Sequence, residues 1–303
     1  VYRGEGRFGR LFALKRLRPE LRGNAEVRAM FLDEARVAGL IRHPHVVPVV
    51  DLGEDAEGPF LVADYVDGWP LSQLIAGMTV RGEALPVALC VELAVQIASG
   101  LHAAHELETL DGVPLGVIHR DVTPQNVLVD WDGFARLTDF SIAKAWGRLA
   151  QTAAGAQKGK VGYMAPEQLR FETLDRRADL FALGVLLFEM LAGRRLYEGA
   201  VERDVARRIL VEPPPDIGEH RRDVPDELVG LLFDLLAKDP AERPRTAGDV
   251  RERLRAVLDE LVAMQGGCDA GELLRARFAA EREAKRLVVR KALAQALPGE
   301  PLR

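Results

Sequence analysis

Apolar residues along this chain switch between two spacings, and the switches mark out its elements. From Ala25 to Ile41 they recur at helical intervals, at Val27, Met30, Phe31, Ala35, Ala38 and Ile41, with Gly39 late in the run. That pattern predicts a helix with one buried face. Val46 to Leu52 and Pro59 to Asp64 are β-rich runs parted by the polar Glu54-Asp55-Ala56-Glu57-Gly58, which predicts two strands and a turn. Pro86 to Leu107 has the spacing of a long amphipathic helix. A second hairpin is expected from Val127-Leu128-Val129 and Ala135 to Thr138, joined by Asp130-Trp131-Asp132-Gly133. Ala178 to Ala192 is apolar nearly all round, so it should be a buried central helix. A further helix is expected to end near Met264, capped by Thr246 or Asp249. After Gly266-Gly267, arginines, glutamates, alanines and leucines alternate helically from Ala270 to Leu297. This reads as a packing or solvated helix, with a partner-binding or regulatory arm as the sharper alternative.

Composition narrows the class without naming a function. With 303 residues the length suits about two domains, and 48% apolar with 29% charged residues is ordinary for a chain with a substantial core. A formal charge of −5 leaves no basic surplus for gripping a phosphate backbone, so nucleic acid is not expected as the main partner. Cys90 and Cys268 follow no disulfide pattern and read as reduced thiols in a cytoplasmic setting. No run approaches the roughly 18 uninterrupted apolar residues of a membrane span. Leu180 to Leu191 comes nearest, and Glu189 interrupts it. His102 and His105 have no third ligand at useful spacing, so a helix-end pair without function is expected in place of a metal site. The chain opens at Val1 with neither Met nor a signal-peptide pattern, and reads as a fragment.

The chemistry concentrates in His119-Arg120-Asp121-Val122-Thr123-Pro124-Gln125-Asn126, followed across the second hairpin by Asp139-Phe140-Ser141. One carboxylate stands where a hydroxyl could lose its proton, and an amide and a second carboxylate stand where hard cations could be held. Such a set suits phosphoryl transfer. This stretch resembles the H-R-D-x-x-x-x-N catalytic loop and D-F-G metal loop of protein kinases. The closest flavour is the bacterial eukaryotic-like, or Hanks-type, Ser/Thr kinase.

The resemblance extends from Val1 to about Met264 and implies roles along the chain. Leu11-Phe12-Ala13-Leu14-Lys15 resembles the strand whose lysine, here Lys15, positions the ATP phosphates, and Glu34 the helix glutamate that pairs with it. Ala63 then falls at the gatekeeper position, with the backbones of Asp64 and Val66 at the adenine edge, and Ala13 and Leu128 lining the nucleotide. Asp121 would orient the acceptor hydroxyl, and Asn126 and Asp139 would hold Mg²⁺. Arg120 resembles the arginine that receives an activation-loop phosphate; Thr152 is the hydroxyl available for it between Ser141 and Tyr163. Tyr163-Met164-Ala165-Pro166-Glu167 resembles the A-P-E segment, whose Glu167 would pair with Arg243 of Asp239 to Pro244, while Asp179 resembles the acid that holds the catalytic loop. Gly4-Glu5-Gly6-Arg7-Phe8-Gly9 matches G-x-G-x-x-G, but a strand, turn and strand between that loop and the lysine need about twelve residues. Gly9 to Lys15 leaves five. The glycines are therefore expected in a turn after a strand beginning at Val1-Tyr2, with the phosphate loop upstream.

Three positions depart from the family pattern. Ser141 replaces the D-F-G glycine, Thr123 stands where Ser/Thr kinases carry a lysine, and Lys160 stands where they carry a threonine. Because the family's lysine and threonine meet beside the catalytic aspartate, the last two read as one exchange, in which Lys160 supplies the cation that Thr123 cannot. The alternative is a solvated loop lysine. The implied fold is α+β and two-lobed: residues 1–66 as a small β-rich lobe with one helix, 67–264 as a helical lobe, 265–303 as a helical extension. The implied activity is Mg²⁺-dependent transfer from ATP to Ser or Thr hydroxyls of a protein substrate, with a pseudokinase scaffold as alternative. A small-molecule phosphotransferase is disfavoured by the A-P-E segment and Arg243.

Overall fold

The computed structural model describes residues 2–3, 10–140, 159–267 and 269–296. The first sheet contains β1 (Tyr2–Arg3), β2 (Leu11–Arg16), β3 (Val49–Asp55) and β4 (Gly58–Asp64), antiparallel in the order β1-β2-β4-β3. Tyr2 pairs with Phe12 and Arg3 with Leu11, so Tyr2 is in a strand, as expected. Gly4 to Gly9 themselves lie outside the described residues. Helix α1 (Ala25–Ala38) covers this sheet. Asn24 caps it, accepting from the backbone of Glu26 and Val27 at 3.0 and 3.2 Å. Phe31 and Ala35 of α1 meet Leu61 of β4 in a small separate core. The helix stops short of Ile41, because Ile41 leaves its face to enter the larger core, where it is buried.

That larger core belongs to the helical lobe. A short sheet of β5 (Gly68–Pro70), β6 (Val127–Asp130) and β7 (Ala135–Leu137) lies at its entrance. Ten helices in all are described: after α1 come α2 (Leu71–Val80), α3 (Val87–His105), α4 (Pro166–Leu169), α5 (Arg177–Ala192) and α6 (Glu202–Val211). The series ends with α7 (Asp226–Leu235), α8 (Ala247–Gln265), α9 (Ala270–Arg277) and α10 (Ala279–Ala296). Thr246 and Asp249 cap α8 reciprocally, each side chain accepting from the other's backbone at 3.0 Å.

Two expectations need correction here. Among the described residues the helix long and apolar enough to cross a membrane, by length and composition, is α3, with mean hydropathy 1.6, and not the Leu180 to Leu191 run. Glu92 breaks α3 as an uninterrupted run, which hid it. Its window is 78% buried in the domain core, against α8 and α5, and it is a core helix. Nor is Ala270 to Leu297 one helix. It breaks at Phe278, whose ring is wholly buried beside Trp69 at 5.5 Å between centroids; Leu297 lies outside the described residues.

Candidate active site

Strand β2 brings Lys15 into the cleft because alternate residues of a strand share a face. Ala13 and Lys15 therefore stand beside Ala63 and Leu61, their cross-strand partners on β4. Two alanines opposite one another leave the wall behind them low. The Lys15 ammonium lies 2.7 Å from Glu34 Oε1 on α1 and 2.8 Å from Asp139 Oδ1. Burial pulls the Lys15 pKa down, but Asp139 and Glu34 more than reverse this and leave it raised, so the cation is secure. Glu34 is pushed up by its own burial, against the pull of Lys15, with Asp139 and Asp121 adding to the rise.

Asp121 is held from two sides. Asn126 Nδ2 donates to its backbone oxygen and to Oδ2, both at 2.8 Å. Lys160 Nζ donates to the same Oδ2 at 2.5 Å. Lys160 opens a single 3-10 turn, Lys160–Tyr163, entered through Gly159 at φ 103°, a left-handed conformation that glycine adopts without Cβ strain. The expected meeting of Lys160 with the catalytic-loop aspartate is thus present. Thr123, its proposed exchange partner, is buried, and its Oγ1 has no hydrogen-bond partner among the described residues.

The loop itself is anchored from below. Asp179, at the start of α5, accepts from the backbone of His119 and Arg120 at 2.8 and 2.7 Å, and bonds His105 Nε2 at 2.8 Å. Burial alone would raise Asp179; the bond from His105 and the neighbouring His119 outweigh it and leave its pKa lowered. Burial also lowers the pKa of His119, whose ring lies 4.4 Å from that of Phe140 and bonds the Thr138 carbonyl at 3.1 Å. Arg120 and Asp139 both have positive φ, 66° and 61°. Non-glycine residues hold such conformations only where their surroundings enforce them. His105 is therefore not functionless: it shares the carboxylate that fixes this backbone.

Among the described residues no three His, Cys, Asp or Glu side chains gather to form a metal site by themselves. Asn126 and Asp139 offer an amide oxygen and a carboxylate, which fits a hard cation that takes its remaining ligands from phosphate and water. That Asp139 already carries an ammonium against it shows that its position favours positive charge. At the end of β4, the Asp64 N–H donates to Pro48 O at 2.9 Å, so it is already engaged within the small lobe. Leu128 is half-buried on β6, between the buried Val127 and Val129.

The protein kinase domain model matches residues 1–253. This chain belongs to the protein kinase family. The kinase fold, with its small β-rich lobe and helical lobe, is accordingly the one seen here. Its sequence is 36% identical to the tyrosine-protein kinase MasK of Myxococcus xanthus, over 93% of this chain and 44% of that protein. It is 38% identical to the serine/threonine-protein kinase PknD of Mycobacterium tuberculosis, over 82% and 36%, and 31% to PrkC of Bacillus subtilis, over 82% and 36%. The chain thus spans less than half the length of these relatives. The crystal structure of the PknI kinase domain of M. tuberculosis superposes with a TM-score of 0.60 at 29% identity, covering 82% of this chain and 84% of that one.

Other kinase positions fall into place. Glu167 of α4 and Arg243 form a buried bidentate pair at 2.7 and 2.8 Å, and Arg243 also donates to the carbonyls of Ala237 and Arg177 at 2.9 Å. Arg120 is half-buried, with Nε lacking a partner among the described residues. Thr152 and Ser141 lie outside them. Glu189, read from sequence only as a break in an apolar run, accepts the Tyr163 hydroxyl at 2.5 Å and the Leu196 N–H at 3.2 Å. Burial raises its pKa, against those bonds. It ties the Lys160 turn to the central helix; the lone acid amid Leu180 to Leu191 was the available signal.

Proposed function

We propose that the chain transfers the γ-phosphoryl group of ATP to a protein hydroxyl, Ser or Thr first, with Mg²⁺ as cofactor. The observation that carries this reading is the Asp121 carboxylate, aimed and held by Asn126 and Lys160 in the same cleft where Lys15 joins Glu34 to Asp139. Asp121 would accept the acceptor hydroxyl's proton on its carboxylate. Lys15 would position the α- and β-phosphates. Asn126 and Asp139 would hold the cation, which when bound offsets phosphate charge. Lys160 would face the transferred phosphoryl oxygens, where a fixed donor acts on developing charge. Ala63, with the Asp64 carbonyl and the Val66 N–H, would receive adenine, and Ala13 and Leu128 would enclose it. Arg120 would bind a phosphate on Thr152. The side chains that a turnover-deficient scaffold would be expected to lack in part are all present, Lys15 with Glu34 and Asp139 and Asp121 with Asn126, which favours catalysis.

A tyrosine acceptor is the second reading, favoured by the printed name of MasK and by the absence of a lysine at 123. Incorporation of labelled phosphate from ATP into a generic protein substrate, followed by phosphoamino-acid analysis, separates the two. Asp121→Asn serves as the control. Label on wild type that persists in Asp121→Asn, or none on wild type with Mg²⁺ present, would sink the proposal.

A further inference from the structure

The family match ends at residue 253, and helices α9 and α10 lie beyond it. They do not stand off in solvent. Phe278, at the break between them, is wholly buried against Trp69 and fills the space over Gly77, where an added Cβ would lie 2.5 Å from its ring. Arg275 donates to the Trp131 carbonyl and to Asp132 at 2.9 and 2.8 Å, and Arg282 lies over the Trp131 ring, 5.6 Å from its centroid.

From this anchorage two cations of α10 reach the segment that joins the lobes. Lys285 donates to the Gly68 carbonyl and sits 5.5 Å from the Tyr65 ring centroid. Arg286 reaches Asp67 Oδ2 at 3.4 Å, while Trp131 Nε1 donates to Oδ1 at 3.1 Å. Gly68 has nowhere else to go. A Cβ there would meet Val129 O at 2.0 Å, and its N–H turns back to Val66 O at 3.0 Å. Asp67-Gly68 is thus wedged between β6 on one side and α10 on the other, one tight turn from the residue expected to meet adenine. Asp64 to Asp67 also border a cavity of about 640 Å³, which Arg282 and Arg286 of α10 line with them. Burial lowers the Lys285 pKa while Asp67 opposes the change, as for an ammonium that has exchanged hydration for a carbonyl and a nearby carboxylate.

We propose that α10 is a strap on the hinge, and that Lys285 and Arg286 are positioning residues which fix Asp67-Gly68 and thereby set nucleotide affinity. Hinges absorb lobe motion in a few backbone dihedrals, and contacts made in one arrangement only shift the population toward it. The inference rests on the nucleotide-binding reading of the cleft, so the test separates the two.

The full chain carrying Lys285→Met and Arg286→Gln is compared with wild type by hydrogen exchange of peptides spanning 64–70 and by binding of a fluorescent ATP analogue. Hinge exchange should quicken, and affinity should fall by about fivefold or more, the size of an ordinary coupling between sites. Lys285→Arg should keep both near wild type. Arg277→Gln, which removes only the α9 contact to Glu83 at 2.8 Å, should change neither. If the double variant does not fold, Arg286→Gln alone must still quicken hinge exchange. Hinge exchange unchanged in folded variants, or quickened equally by Arg277→Gln, overturns the strap. A wild-type chain that binds no analogue while its hinge still responds would instead overturn the nucleotide reading.

Discussion

Lys160 is the residue on which this site departs most usefully from its relatives' pattern, and Lys160→Thr tests what it does. Its ammonium sits 2.5 Å from the carboxylate oxygen that Asn126 also holds, with the two side chains of the ion pair 36% and 21% exposed. A buried preorganised donor on a developing anion contributes about 10²- to 10³-fold in rate. Lys160 is partly solvated, so its contribution belongs nearer a charge-assisted hydrogen bond of about 1.5–3 kcal/mol. At about 1.4 kcal/mol per decade, Lys160→Thr should lower kcat roughly 10- to 100-fold. The KM for ATP should move little, because in the proposed site Lys15 would hold the other phosphates. Steady-state turnover on a protein substrate measures this, with the melting temperature as a check on folding. Thr123→Lys in the Lys160→Thr background should recover part of the loss, since it returns an ammonium to the loop that carries Asp121. A Lys160→Thr enzyme with unaltered kcat would refute the argument, and a loss in KM alone would recast Lys160 as a binding group.

Ala63→Met should exclude ATP-site inhibitors with bulky rear groups, because the new side chain fills the space left by the facing alanines 13 and 63; equal inhibitor affinity in a competition assay would count against it. Arg243→Met strands the buried Glu167 carboxylate and should destabilise the fold by about 3–5 kcal/mol in urea unfolding; a change under about 1 kcal/mol would contradict the burial argument. Burial lowers the Lys238 pKa to about 8, aided by Arg243. Between that value and the ordinary lysine value near 10.4 the unfolded chain holds the extra proton, so this residue's contribution to stability rises with pH across the window. The stability difference between wild type and Lys238→Met should therefore shift by about 1 kcal/mol or more in favour of wild type from pH 7.5 to 9.5; a pH-independent difference would refute the assignment.

Within the described residues, much of this was legible because the motifs are local and their spacing is rigid. Asp121 to Asn126 is one loop, and the short hairpin after it leaves Asp139 little freedom of placement, so the chemistry could be read in order. The paired lysine and glutamate, Lys15 and Glu34, followed from a strand and a helix with clear periodicities. The elements β5, α2, α6 and α7 were not read from the sequence, and each is short. Three residues of β5 carry too little pattern to read, and in α2 the helical spacing of Leu71, Leu74, Ile75 and Met78 extends over only ten residues.

Sequence alone determined the family, the order of the candidate catalytic groups and the presence of a threonine at 123 and a lysine at 160, since each depends on residue type at a fixed chain offset. Tertiary structure decided which groups meet across long separations. His105 proved to be a partner of Asp179, Glu189 a tie to Tyr163, and the last helices a brace on Asp67 and Gly68. A charged side chain in a helical pattern reads the same whether it faces water or a backbone carbonyl some 200 residues away. The packing of Phe278 beside Trp69, with Arg275 and Arg282 on Trp131, sets where α10 lies and distinguishes the two.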